Sequence, residues 1–145
     1  VPVVLIDTNV WVSALINPAG QPAQLRQAWY EGRFEVVISP PLLDELADVL
    51  TRPRITRKYL LTAADVAEFL ILLAQRSRLT YPTGELHECR DPDDDVVLET
   101  AIQGKAEYVV SRDDDLKRDQ DLIERLQARG ITVLSVQRFL DKLAE

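Results

Sequence analysis

The chain has 145 residues, 46% of them hydrophobic, which is enough to bury one core and too little for a second domain of ordinary size. Its formal net charge of −7, taken alone, argues against a general nucleic-acid binder held by Lys and Arg, and the single Cys89 excludes an internal disulfide. The longest apolar run, Phe69 to Ala74, falls far short of the roughly 20 residues of a membrane span.

Apolar runs and helical periods then alternate along the chain. Val3 to Ile6 reads as a buried strand, followed by a short helical stretch through Trp11 and Leu15 to a turn at Pro18-Ala19-Gly20. Gln21 to Glu31 is expected to be a helix with Leu25, Ala28 and Trp29 on one face, ended by Gly32. Phe34 to Ile38 is a second strand. Ser39 is placed to cap a helix from Pro40 or Pro41 to about Leu50, and Pro53 interrupts it. Thr62 caps a long helix to about Ser77, with Val66, Phe69, Leu70 and Leu73 as its buried stripe. A short strand from Arg78 to Tyr81 leads into a loop through Pro82, Gly84 and His87. Helix Pro92 to Gln103, strand Glu107 to Ser111, helix Gln120 to Arg129, strand Ile131 to Leu134 and a terminal helix from Ser135 complete the pattern.

Strands alternating with helices imply an α/β fold, a mostly parallel sheet covered on both faces, in one domain over residues 1–145. No stretch reads as a signal peptide, so a cytoplasmic protein is expected; Met is absent, so the native start is expected to have been processed or trimmed. In an open parallel sheet, ligands bind outside the carboxyl ends of the strands where strand order reverses. Asp7 and Asp113 both lie just past strand ends. If those strands are neighbours, the two carboxylates face one crevice.

Helix geometry offers a sharper selection, because each residue turns the side chain by about 100°. Asp94 precedes Val97, Leu98 and Ala101 by three, four and seven residues, so it points along their buried face, with Asp93 and Asp95 to either side. Asp91 is the expected cap, with Pro92 as first helical residue. In the earlier helix, Leu42, Leu46 and Val49 define the core stripe and Glu45 sits on its edge. Each residue also has a plainer reading: Asp7 as a helix cap, Glu45 as a boundary residue, Asp94 as an acid favoured by the helix dipole, Asp113 and Asp115 as turn and cap residues. The combination carries more than any member, since carboxylates gathered from distant segments repel unless a hard cation lies between them. Charge is also unevenly spread. Glu85 to Asp95 holds six acids against one Arg, whereas Arg52, Arg54, Arg57 and Lys58 form an acid-free basic cluster that is either solvated surface or a contact for nucleic acid.

Val4-Leu5-Ile6-Asp7-Thr8-Asn9-Val10, Glu45, Asp91-Pro92-Asp93-Asp94 and Val109 to Leu116 together resemble PIN-domain ribonucleases, over essentially the whole chain. The Asp-Pro-x-Asp element is similar in particular to the branch of toxin components of prokaryotic toxin–antitoxin systems. The resemblance implies a sheet in the order 3-2-1-4-5 with an acidic pocket at the carboxyl ends of its central strands. It implies Asp7, Glu45, Asp94 and Asp113 as catalytic residues, Asp7, Asp94 and Asp113 as metal ligands, and Asn9, Ser111 and Asp115 in support. Implied partners are an RNA substrate, an antitoxin protein and further copies of the chain in a homodimer or higher oligomer.

The implied chemistry is Mg²⁺- or Mn²⁺-assisted hydrolysis of RNA phosphodiester bonds, in which the protein supplies oxygen ligands. With only His87 and Cys89 available, a zinc site is poorly supported, and no spacing ties His87 to the four acids. A haloacid-dehalogenase-like phosphatase needs a second Asp where this chain has Asn9, and the five glycines form no phosphate-cradling pattern. The alternative of a different class is a catalytically inactive PIN-like module that binds RNA or protein. Cleavage separates the two.

Overall fold

In the computed structural model, every residue from Val1 to Glu145 is described except for the side chain of Asp113. The first strand, β1 (Val3–Ile6), is followed by α1 (Thr8–Ile16), α2 (Gln21–Tyr30), β2 (Glu35–Ile38), α3 (Pro40–Leu50), α4 (Pro53–Thr56) and α5 (Ala63–Arg76). Then come β3 (Arg78–Leu79), α6 (Pro92–Gln103), β4 (Tyr108–Ser111), α7 (Asp113–Arg118), α8 (Gln120–Ala128), β5 (Thr132–Ser135) and α9 (Val136–Leu143).

The five strands form a parallel sheet in the order β3-β2-β1-β4-β5, as the family resemblance implied. The strands are short runs of Val, Leu and Ile because both faces are covered: Val4, Leu5, Val36, Val37 and Val110 are buried. Connections run one way from β1 to β3 and the other way from β3 to β5. Right-handed crossovers therefore send α1, α2, α3 and α5 to one face and α6 and α8 to the other, while α9 packs against α2. The reversal falls between β1 and β4.

Register decides what meets there. Leu5 pairs with Val109 and Ile6 with Val110, so the two central strands end level. The Asp7 amide continues the ladder, donating to the Val110 carbonyl at 3.0 Å, and the next side chains out are those of Asp7 and Ser111. On the other side of β4, Ser111 pairs with Ser135 of β5. The α6 helix is pressed onto the sheet through Gly104, where a Cβ would lie 2.1 Å from Val37 Cγ1. A buried hydrogen bond of 2.9 Å between the hydroxyls of Ser39 and Thr100 joins the start of α3 to α6.

Several boundaries differ from the sequence reading. Pro53 opens the short α4 instead of only ending α3, since proline is tolerated in a first turn where its missing N–H is no loss. Residues 113–118 form α7, where the sequence suggested only turn and cap residues. The third strand covers Arg78 and Leu79 and stops before Tyr81; β5 is shifted one residue toward the C-terminus. In α3 the fully buried positions are Leu42, Leu46 and Leu50, with Val49 half-buried beside them.

Candidate active site

The level ends of β1 and β4 floor a cavity of about 250 Å³ whose walls come from α1, α3, α6, α7 and α8. Leu5, Ile6, Leu42, Val97, Val109 and Leu122 form its apolar base. Seven acidic side chains line it, namely Asp7, Glu45, Asp91, Asp93, Asp94, Asp115 and Asp119, and among the described residues lining it none is basic. The side chain of Asp113 lies outside the described residues, so its sequence-derived role as a ligand stays an expectation.

Asp7 occupies the cap position of α1 but makes no capping hydrogen bond. Its carboxylate instead accepts the Ser111 hydroxyl at 3.2 Å. Burial, and then the hydrogen bond and charge of Asp115, push its pKa from 3.8 up to about 7, against the lowering effect of Ser111. Asp115 is buried. It accepts the Asn9 amide at 3.1 Å and the Arg118 guanidinium at 3.2 Å, so Asn9 and Ser111 each fix one of two adjacent carboxylates.

Asp94 reaches the cavity from the first turn of α6. Burial is the largest cause of its rise to a pKa of about 6, followed by the charges of Asp119, Asp91, Asp121 and Asp93. Asp91 caps the helix as expected, accepting the Asp93 amide at 3.0 Å. Glu45 stands on the exposed rim, and its pKa is raised by partial burial and by Asp93 across the cleft.

The run Asp93-Asp94-Asp95 divides between two tasks. Asp95 is only 7% exposed, more buried than Asp94, contrary to the single-stripe helix geometry. Its carboxylate turns away from the cavity to accept the backbone amides of Glu88 and Cys89 at 3.0 and 2.8 Å, and the Cys89 amide is the main reason its pKa is lowered. Glu99, one turn on, accepts the Thr83 amide and hydroxyl and the Gly84 amide. These two buried carboxylates tie the segment between β3 and α6 to the helix. Burial and Asp95 push the Cys89 thiol up to about 12, so it is inert as a thiolate. His87 is exposed in the same segment.

Sequence reading missed Asp119 and assigned Asp91 and Asp93 no place in the crevice. Asp119 sits four residues after Asp115, on the same side of the turn, and a helix through 113–118 would have placed both in the cavity. Arg54, Arg57 and Lys58 are exposed on and after α4 and do not line the cavity. Arg52 pairs with Asp48 at 2.7 Å and lies near enough to lower the pKa of Glu45, which puts the basic cluster beyond the α3 rim.

A family model described as the PIN domain matches residues 3–115. The chain belongs to the PIN-domain family. It is also 30% identical over 141 residues, 96% of this chain and 90% of the other, to the uncharacterized protein MJ1680 of Methanocaldococcus jannaschii. PIN domains are generally nucleases, which supports a hydrolase acting on nucleic acid as the broad class of this one. PIN nucleases typically use divalent metals, and the donor chemistry here fits that requirement. Among the described lining residues the cavity offers carboxylates and hydroxyls with no His or Cys, an oxygen set suited to a hard ion, and a cation would offset the burial and the repulsion that together raise Asp7 and Asp94. Among the described residues, no three such side chains already converge as a formed metal site. Nor, among the described residues, is any helix long and apolar enough to cross a membrane.

Proposed function

We propose that this chain is a metal-dependent endoribonuclease hydrolysing RNA phosphodiester bonds, and that it acts in the cytoplasm as the toxin of a toxin–antitoxin pair. The observation that carries the nuclease reading is the concentration of acids, with no base among the described lining residues, where strand order reverses. Burial and neighbouring acids raise the pKa of Asp7 and Asp94, which costs the fold stability near neutrality, and perturbed carboxylates gathered in a cleft support a functional site.

Mg²⁺ or Mn²⁺ bound there would offset the charge of the phosphodiester and activate water. Asp7, Asp94 and Asp113 are the proposed ligands. Ser111 orients Asp7, and Asn9 and Arg118 orient Asp115, so that the carboxylates present fixed oxygens instead of rotating apart. Glu45, at the mouth, is positioned to accept a proton from water entering the cleft, its raised pKa keeping it a better base than a free glutamate.

Labelled RNAs incubated with Mn²⁺, Mg²⁺ or EDTA, beside an Asp7→Asn control, test the reaction. Cleavage with metal that disappears in EDTA and in the variant supports it. RNA bound yet left intact under every condition returns the protein to the class of binding modules. The toxin assignment rests on the resemblance of Asp91-Pro92-Asp93-Asp94, and growth arrest on induction that Asp94→Asn relieves is its test.

A further inference from the structure

A second cavity, of about 330 Å³, adjoins the acidic one and shares Ser111 with it as a wall. It lies on the β5 side of the strand-order reversal, because Ser111 and Ser135 are paired across β4 and β5 and both line it. Gln21 and Gln137 close its outer wall by hydrogen bonding to each other. Its lining differs from that of its neighbour, with a single acid, Asp114, among the described residues where the first cavity has seven. Among the described lining residues the only cation is Arg112, held by the backbone at the start of α7 with its guanidinium about half exposed.

Arg112 is loosely partnered. Its one ion pair among the described residues is with Asp114, at 3.8 Å, and the Asp114 side chain is 69% exposed. A pair this long and this wet contributes little, so another anion can displace the carboxylate readily. An RNA strand crossing the acidic cavity would bring phosphates to both sides of it. The Arg52 to Lys58 cluster lies beyond α3, on the β2 side, whereas Arg112 supplies positive charge on the β5 side.

We propose that the Arg112 cavity is a subsite for an RNA phosphate flanking the one that is cut, and that Asp114 competes with that phosphate for the guanidinium. This rests on the nuclease reading for its ligand. It gives Arg112 a binding role and Asp114 an opposing one, two residues apart at one helix start. A guanidinium suits this task, because its planar fork donates two hydrogen bonds to phosphate oxygens.

The test is binding of a fluorescein-labelled ten-nucleotide RNA, read by anisotropy in EDTA so that no cleavage intervenes. Arg112→Ala should weaken binding roughly tenfold, the loss of one charge-assisted contact. It should also reduce the slope of log K against log salt by about 0.7, and Arg112→Lys should restore the slope. Asp114→Ala should tighten binding, and this gain should vanish when Arg112 is already Ala, a coupling that general removal of negative charge cannot produce. Glu31→Ala is the control, an exposed acid at the far end of α2, about 15 Å along that helix from the cavity. The size of the thermal shift given by Mn²⁺ reports that each variant keeps its fold and acidic cavity. Wild-type affinity in Arg112→Ala at low salt, or an Asp114→Ala gain equal in both backgrounds or matched by Glu31→Ala, overturns the subsite, as does a wild type that binds no RNA. Cleavage with either of the first two results sinks the subsite and spares the nuclease reading. Coupled binding effects in a protein that never cuts do the reverse.

Discussion

Replacing Asp7 by Asn should stabilise the metal-free protein at pH 8. Asn has the same shape, keeps an oxygen for the Ser111 hydroxyl, and turns an N–H₂ toward Asp115, whose carboxylate currently repels Asp7. A pKa of about 7 against 3.8 means that the folded state holds a proton more tightly than the unfolded chain, so ionising Asp7 destabilises the fold as pH rises from about 4 to 7. At 1.36 kcal/mol per pKa unit the full shift corresponds to about 4 kcal/mol, and access of water through the mouth of the cavity reduces this to roughly 1–3 kcal/mol. For a chain of this size that is a rise in Tm of roughly 3–10 °C. Thermal unfolding in EDTA, followed by circular dichroism at pH 8, 6 and 4, measures it. The variant should lead wild type at pH 8, by less at pH 6, and by little near pH 4, where folded Asp7 is protonated and unfolded Asp7 is close to its midpoint. Added Mn²⁺ should reverse the order, because an ion that binds only the folded wild type adds about 2.7 kcal/mol at a hundred times its Kd. A variant that is less stable than wild type at every pH, by a constant margin, would falsify the charge argument and make Asp7 a structural hydrogen-bonding residue.

The gain in Tm that Mn²⁺ gives wild type should itself grow as pH rises through 6 to 7, as Asp94 and Asp7 lose their protons; a gain that is flat over this range would place the ion elsewhere. Asp94→Asn should abolish most cleavage and blunt the Mn²⁺ response, whereas Asp95→Asn should lower Tm through the Glu88 and Cys89 amides yet still cut RNA; the opposite pair of results would show the register to be wrong. Gly104→Ala should cost about 1–3 kcal/mol in urea unfolding, because Val37 is buried and cannot yield, and Val37→Ala in the same chain should recover part of it. Replacing Arg54 and Arg57 by Glu should weaken RNA binding and flatten its salt dependence by about 0.7 in slope per lost contact; unchanged affinity at low salt would return the cluster to solvated surface.

The strands were legible because a parallel sheet buries both faces, which leaves runs such as Val3 to Ile6 with almost no polar residue. Their placement relative to one another came from the family resemblance, since no periodicity says which strands are neighbours. The α7 helix was hidden for the converse reason: Asp113-Asp114-Asp115 has no apolar period, and the helix is too short to supply one. With it went Asp119. The three aspartates of α6 misled in a more instructive way. A single-stripe projection assumes one buried face, but α6 is covered by the sheet on one side and by the segment from Thr83 to Cys89 on another, so Asp95 and Glu99 are buried by a loop whose path no local pattern encodes. Buriedness therefore did not separate Asp94 from Asp95. What separates them is the partner each carboxylate meets: backbone amides for Asp95, and for Asp94 other carboxylates.

That contrast gives the decisive experiment, a crystal structure of the protein soaked in Mn²⁺ with data collected at the manganese absorption edge. Anomalous scattering should place an ion between Asp7 and Asp94, with carboxylate oxygens about 2.0–2.2 Å from it and the side chain of Asp113 completing the set. A protein that cleaves RNA in Mn²⁺ while the cavity scatters no anomalous signal, or while the ion sits only at Asp95 or on the outer surface, would contradict the assignment of this crevice as the metal-dependent active site.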